Sequence, residues 1–377
     1  MKVMNALDLS ILAENGLRRG FTTGSCATAA VKAALLKLLC GELTGRVNVT
    51  LPDGEFYLTI PIESVYDEPD GWVRATVIKD AGDDPDQTHR ARIFARVRSN
   101  SSGRVIFRRG EGVGIVTQPG LAVPVGEPAI NPAPRKMILR AVQEVLAEGD
   151  SIGPSGYDVE IGCENGAEIA RRTFNPRLGI EGGISILGTT GVVEPKSMAA
   201  FKASIETYIR VALGDNPPEI VLAPGNIGQR FARATLDAPL KRVVQMSNFV
   251  GFALDCVERT LLENGQRLPR LWIVGHPGKL AKVLDGVWDT HSQRSESAVR
   301  PVRRIAGACG FTAEECARFQ ASRTVEGIIE SLAGDERAPA FWREVETRIA
   351  AAIGPKLSTV DRVCVRIFTL DGKELGG

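Results

Sequence analysis

Neither charge sign is in excess: 46 Lys and Arg stand against 45 Asp and Glu in 377 residues. A surface that binds a polyanion needs a basic surplus or basic blocks, so a nucleic-acid partner is not expected. Cysteine is scattered as Cys26, Cys40, Cys163, Cys256, Cys309, Cys316 and Cys364, an odd set with no Cys-x-x-Cys. That argues against a disulfide framework and a zinc cluster, and it suits a reducing compartment. Histidine occurs only as His89, His276 and His291, with no i, i+4 pair, so no protein-bound metal is expected. Long apolar runs are missing too. The stretch VKAALLKLLC is short and carries Lys32 and Lys37, and the N-terminal apolar run is broken by Asp8 and Glu14. A cytoplasmic protein without a membrane partner is the expectation.

Phosphate fingerprints are absent as well. Gly275-His276-Pro277-Gly278-Lys279 is followed by Leu280 where a P-loop needs Ser or Thr. Gly110-Glu111-Gly112-Val113-Gly114 runs on into Ile115 and Val116 rather than a further glycine, and Ser185 sits between isoleucines, not in G-x-S-x-G. ATPase, dinucleotide and hydrolase readings are weakened in turn.

Glycine is plentiful, 40 residues of 377, against a usual ~7%. Without a Gly-X-Y period the surplus implies tight turns and close backbone approaches to a ligand. Residues 25–40 read as a helix that Ser25 could cap. Alternating apolar runs follow at 46–51, 55–62, 72–78, 92–97 and 104–107, and a helix spans about 135–147. An N-terminal mixed α+β domain rich in strands is therefore expected over 1–134, with a boundary near Pro134. Over 135–377, apolar strands at 158–162, 185–187, 219–223, 242–246 and 270–274 alternate with helices at 197–213 and 249–263. That rhythm predicts an open, largely parallel α/β domain, Rossmann-like in kind. The last stretch, from about 299, is less characteristic.

Loops after the five later strands are rich in Gly, Ser, Thr and Asn: GCENG, GTTGVVEPKS, PGNIG, SNFVG and GHPGKL. Each alone is an ordinary turn; together they favour a polar small-molecule ligand at the strand ends. Asp80, Asp83, Asp84 and Asp86 crowd one loop, where repulsion can lift one carboxyl toward a useful base; a solvated acidic turn is the competing reading. The EF-hand spacing is not met there, and His89 is a possible proton relay. Thr22, Thr23, Gly24 and Ser25 enter the first helix, where amides and hydroxyls suit a carboxylate or phosphate. Cys26 follows them without a nearby base and reads better as packing than as a nucleophile.

Several segments together resemble the cobalt-precorrin-5B C1-methyltransferases of anaerobic cobalamin biosynthesis. They are RRGFTTGSCATAA, KDAGDDPDQTH, GEGVGIVTQPGLAVPVGEPAINPAPR, NPRLGIEGGISILGTTGVVEPKS, APGNIGQ, MSNFVGFALD and GHPGKLAKVLDGVWDTHS, in order along the chain. The segment beyond about residue 297 carries little of this signature. The resemblance implies a two-domain α/β enzyme that moves a methyl group from S-adenosyl-L-methionine to C1 of a cobalt corrinoid, giving cobalt-precorrin-6A. Cobalt then enters only as part of the small-molecule substrate. With this activity in view, Gly188, Thr189, Thr190, Gly191, Asn226, Ser247 and Asn248 are candidates to bind the donor. For the carboxylate-bearing substrate the candidates are Thr22, Thr23, Ser25, Arg135, Lys196, Lys279 and Arg294. Asp80, Asp83, Asp84 and His291 are candidates to remove a proton. A non-catalytic tetrapyrrole carrier and a nucleotide-dependent enzyme on a similar sheet are the alternatives.

Overall fold

The computed structural model describes residues 4–148, 156–291 and 296–376. Two short strands, β1 (Asn5–Ala6) and β2 (Gly20–Phe21), precede α1 (Thr23–Cys40), whose composition explains its place. Every residue from Thr23 to Leu35 is buried. Alanines at 27, 29, 30, 33 and 34 lose little side-chain entropy in a helix and let neighbours approach from all sides. By length and hydropathy α1 could cross a membrane, yet 67% of it is buried inside the fold, as a core helix is. Its cap is Thr22 rather than Ser25: the Ser25 N–H donates to Thr22 Oγ1 at 3.1 Å. Gly41, with φ 69°, closes the other end by donating to the Leu36 and Lys37 carbonyls.

The strands β3 (Arg46–Thr50), β4 (Phe56–Pro61), β5 (Ser64–Glu68), β6 (Trp72–Ile78), β7 (Arg92–Asn100), β8 (Val105–Arg109) and β9 (Ile115–Val116) follow. Then come α2 (Pro132–Glu148), β10 (Gly156–Cys163), α3 (Gly166–Arg171), β11 (Ile180–Glu181) and β12 (Val192–Val193). The principal sheet runs β5-β6-β7-β10-β8. Its period-two alternation separates two faces. Val73, Ala75, Ile93, Ala95, Val97 and Val159 join the core beneath α1. On the other face Arg96 bridges Glu68 at 2.5 Å and Glu160 at 3.0 Å, and Asp158 takes Arg98 and Arg108, each at 3.1 Å.

Three expectations change here. The run at 158–162 belongs to this sheet as β10, antiparallel to β7 and parallel to β8, not to a later parallel sheet. Residues 185–187 form no strand; Ile186 makes one isolated bridge to Ile130. The chain divides into compact units at Ser197 and Met198, so Pro134 lies inside the first. The reason is α2, whose Met137, Ile138, Val142 and Val145 complete the core around α1.

The second unit contains α4 (Met198–Leu213), β13 (Glu219–Ala223), α5 (Asn226–Thr235), β14 (Val243–Gln245), α6 (Val250–Glu263) and β15 (Leu268–Gly275). It continues through α7 (Pro277–Leu280), α8 (Val299–Ala308), α9 (Ala313–Ala321), α10 (Val325–Ser331), α11 (Ala338–Ile353) and β16 (Val360–Ile367). The sheet order is β14-β13-β15-β16, with every pair parallel. Ile220, Val221, Leu222 and Ala223 of β13 are all buried, the continuous apolar run expected of a strand covered on both faces. The last stretch is integral to this unit: Phe341, Trp342, Val345 and Ile349 of α11 share one core with α6 and β15.

Candidate active site

Two glycines in the first unit let separate backbones touch. A Cβ on Gly20 would lie 2.3 Å from the Ala81 carbonyl carbon, and one on Gly82 would lie 2.1 Å from the Arg18 carbonyl oxygen. Across this contact the Arg18 guanidinium donates to both Asp80 oxygens at 2.6 and 3.1 Å, and the Arg18 N–H donates to Asp83 Oδ2 at 2.7 Å. Asp84 Oδ1 accepts the Lys196 N–H at 3.0 Å, and Asp86 pairs with buried Lys79 at 2.6 Å. Each acidic side chain of the loop is thus engaged. The hydrogen bond from Arg18 holds the Asp80 carboxyl below its ordinary range, which reverses the expected lift by mutual repulsion. His89 Nδ1 accepts the Ala81 N–H at 3.1 Å and braces the same loop. Burial pushes the Cys26 thiol up, so it is no ready nucleophile.

The hydroxyls at the start of α1 hold the GTTG loop. Ser25 Oγ donates to the Gly191 carbonyl at 2.6 Å. Thr23 Oγ1 accepts the Leu187 N–H at 2.9 Å and donates toward the Ser185 and Leu187 carbonyls, each at 3.2 Å. Gly188, at φ 128°, could not carry a Cβ without meeting the Thr22 side chain at 2.5 Å. Thr190 Oγ1 closes a local turn onto the Val192 carbonyl at 3.1 Å. Thr22, Thr23 and Ser25, read from sequence as substrate residues, and Gly188 to Gly191, read as donor residues, form a single cluster in which the former hold the latter.

Beside this cluster lies a cleft of about 580 Å³ with Gly188 and Thr189 on one side and α2 on another. Its apolar wall includes Leu51, Pro134 and Met137, and Lys136 and Arg140 add two cations. Arg135 is spent elsewhere: its Nε donates to the Ile130 carbonyl at 2.9 Å and its Nη2 to Glu127 at 3.1 Å. The sequence pointed to Arg135 because it ends a motif. Lys136 and Arg140 were missed, though their i, i+4 spacing on one helix face was the available signal.

In the second unit three carboxyl ends of the sheet carry motif residues. Asn226 opens α5 after β13, and its Oδ1 accepts from Gln245 Nε2 at 2.9 Å. Ser247, after β14, sits at φ 54° and donates from Oγ to Asn248 Oδ1 at 3.1 Å. Asn248 is buried and donates from Nδ2 to Asp289 Oδ1 at 2.5 Å, while the Thr290 N–H donates to the Asn248 carbonyl at 2.9 Å. The segment holding His291 is thereby latched to the Ser247 loop. After β15, His276 Nδ1 accepts the Gly278 N–H at 3.0 Å, so the ring proton sits on Nε2, 2.6 Å from Glu326 Oε2. That pair gave no signal in sequence, its members lying fifty residues apart.

Lys196 and Lys279 are exposed in the first and second units respectively, and Arg294 lies outside the described residues. Of the candidates for proton removal, Asp80, Asp83 and Asp84 belong to the first unit and His291 to the second. No grouping of three or more His, Cys, Asp or Glu side chains suited to a metal occurs among the described residues.

The family model CbiD matches residues 11–195, and the model for the CbiD C-terminal domain matches residues 289–377. The latter covers the stretch that looked poor in signature. The chain is 54% identical to a cobalt-precorrin-5B C(1)-methyltransferase of Ralstonia nicotianae, over 98% of this chain and 96% of that protein. Identity is 52% to the protein of that name from Chromobacterium violaceum, over 99% and 98%. The Moorella thermoacetica protein of the same name is 45% identical, over 88% and 87%. A crystal structure of a cobalamin biosynthesis protein from Archaeoglobus fulgidus is 29% identical, covering 68% of this chain and 88% of that one with a TM-score of 0.40. With family models matching both units and relatives this similar from end to end, the chain belongs to the CbiD family.

Proposed function

We propose that the protein methylates C1 of cobalt-precorrin-5B to give cobalt-precorrin-6A, with S-adenosylmethionine as donor and cobalt only within the substrate. The observation that carries this reading is sequence identity of 52–54% along nearly the full length of proteins so named.

The topology of the second unit supports a place for the donor. Its first strand, β13, lies inside the sheet, and the chain steps to β14 on one side and then to β15 on the other. That is the start of a doubly wound, Rossmann-like order, in which ligands occupy the crevice beyond the carboxyl ends at the reversal point. Here the reversal lies between β13 and β15, and the loops that follow them carry Asn226 and His276. Amides of Asn226 and Gln245 and the hydroxyl of Ser247 hydrogen-bond without adding charge, which fits a ligand with a sulfonium, a ribose and an amino acid head. The donor, when bound, supplies an electrophilic methyl carried on sulfur. Asn226 and Ser247 orient it, and Asn248, turned inward to Asp289, positions Ser247. Positioning and exclusion of water are the main demands of such a transfer.

Proton uptake falls to His291, which is tied to the Ser247 loop through Asp289. Asp80, held ionised by Arg18, is a poor base, and its loop acts as a brace. Calorimetric titration tests the donor assignment: S-adenosylmethionine is expected to saturate a site that NAD and ATP do not occupy. Binding of NAD or ATP in its stead would overturn it.

A further inference from the structure

We infer that Lys136 and Arg140 are substrate-recognition residues, gripping carboxylates of the corrinoid in the cleft beside Gly188 and Thr189. The loop expected from sequence to serve the donor is then a wall of the substrate site. This rests on the proposed corrinoid methylation and deepens it.

Charge decides between donor and substrate. Glu144 is the carboxylate paired with Arg140, at 3.4 Å, and it is already held by Lys32 at 2.7 Å and the Thr50 hydroxyl at 2.6 Å. Lys136 is exposed and pairs with no carboxylate among the described residues. The cations therefore outnumber their partners around this cleft. A sulfonium would meet two like charges; a carboxylate would meet two complementary ones, with Arg140 able to bind in two-pronged fashion.

The rest of the lining agrees. Leu51, Pro134 and Met137 offer apolar contact to a ring system, while the charged groups lie along α2 one turn apart, about 6 Å between Cβ atoms. Neighbouring acetate and propionate arms on one edge of a macrocycle present a similar spacing. About 580 Å³ is within the range of small-molecule pockets and suits an edge of the macrocycle, with the reacting region left outside. Leu187, next to Gly188, is 47% exposed and extends the apolar surface at the loop.

The test uses the full-length protein with cobyrinic acid, whose arms are free carboxylates, and its fully methyl-esterified form as probes. Wild type is expected to bind the acid at least ~10-fold more tightly than the ester. Lys136→Gln and Arg140→Gln should each weaken binding of the acid about 10-fold, leave the ester and S-adenosylmethionine unaffected, and unfold at the wild-type temperature. Arg140→Lys, which keeps the charge but not the fork, should recover part of the loss. In turnover the KM for cobalt-precorrin-5B rises and that for the donor stays. Equal loss for acid and ester, or a raised donor KM with corrinoid binding intact, would overturn the inference. Methyl transfer with an unchanged corrinoid KM in the double variant overturns it while sparing the methyltransferase reading. Acid-selective binding without any methyl transfer does the reverse.

Discussion

Arg18 and Asp83 are joined by a reciprocal pair of hydrogen bonds: the Arg18 N–H donates to Asp83 Oδ2 at 2.7 Å, and the Asp83 N–H donates to the Arg18 carbonyl at 2.9 Å. Their side chain and backbone fix the acidic loop to the segment that leads into α1. Asp83 therefore acts as a brace. Asp83→Asn keeps an acceptor oxygen and should retain turnover within about 3-fold, whereas Asp83→Ala should cost about 1 kcal/mol in denaturant unfolding. Loss of turnover by orders of magnitude in a fully stable Asp83→Asn variant would restore it as a base.

Lys79 and Asp86 form the deeper pair of this loop, with the lysine side chain 1% exposed. Asp86→Asn leaves a buried ammonium without its counter-charge and should cost about 3–5 kcal/mol; adding Lys79→Met should recover most of that. Burial works to raise the Asp86 carboxyl, but Lys79 and the Thr88 hydrogen bonds outweigh it and hold the group below its ordinary range. A carboxyl lowered in the folded state stabilises above its unfolded value near ~3.9 and loses that contribution as pH falls toward the folded one. The stability gap between wild type and the double variant should thus shift against wild type as pH is lowered from 6 toward 3. A gap that does not change with pH counts against the pair.

Ser25 tests whether the start of α1 positions the GTTG loop. Ser25→Ala removes the buried donor to the Gly191 carbonyl and should destabilise by about 1–2 kcal/mol. The corrinoid KM should rise with it, and the donor KM should not. A donor KM that rises alone would return this loop to the donor.

At Ser247 the backbone and the hydroxyl can be separated, because φ is 54°. Ser247→Gly relieves the left-handed conformation and Ser247→Ala does not, so their stabilities should differ by about 0.5–1 kcal/mol in favour of glycine. Both lack the hydroxyl, and both should raise the KM for S-adenosylmethionine alike. Wild-type donor KM in both variants would remove Ser247 from the site.

Much of the second unit was legible because its strands advertise themselves. Buried β13 reads as one apolar run, and the helices Met198–Leu213 and Val250–Glu263 fall within a residue of expectation. The run that became β10 was equally visible as a strand, but an apolar run does not say which sheet it joins. Its register beside β7 and β8 moved it, and the unit boundary with it. The site was less legible because its groups are set by distant partners. Asp80 depends on Arg18, sixty-two residues away, and Ser25 on Gly191, so neither the low carboxyl nor the consumed hydroxyl shows in local spacing. β5 (Ser64–Glu68), a polar edge strand, gave no apolar alternation to read.

The most direct measurement is anaerobic incubation of the full chain with cobalt-precorrin-5B and methyl-labelled S-adenosylmethionine, followed by mass and NMR analysis of the corrinoid. The expected result is one labelled methyl group at C1 and stoichiometric formation of S-adenosylhomocysteine. Recovery of unaltered corrinoid, with all label still in the donor and both ligands bound, would contradict the proposed function.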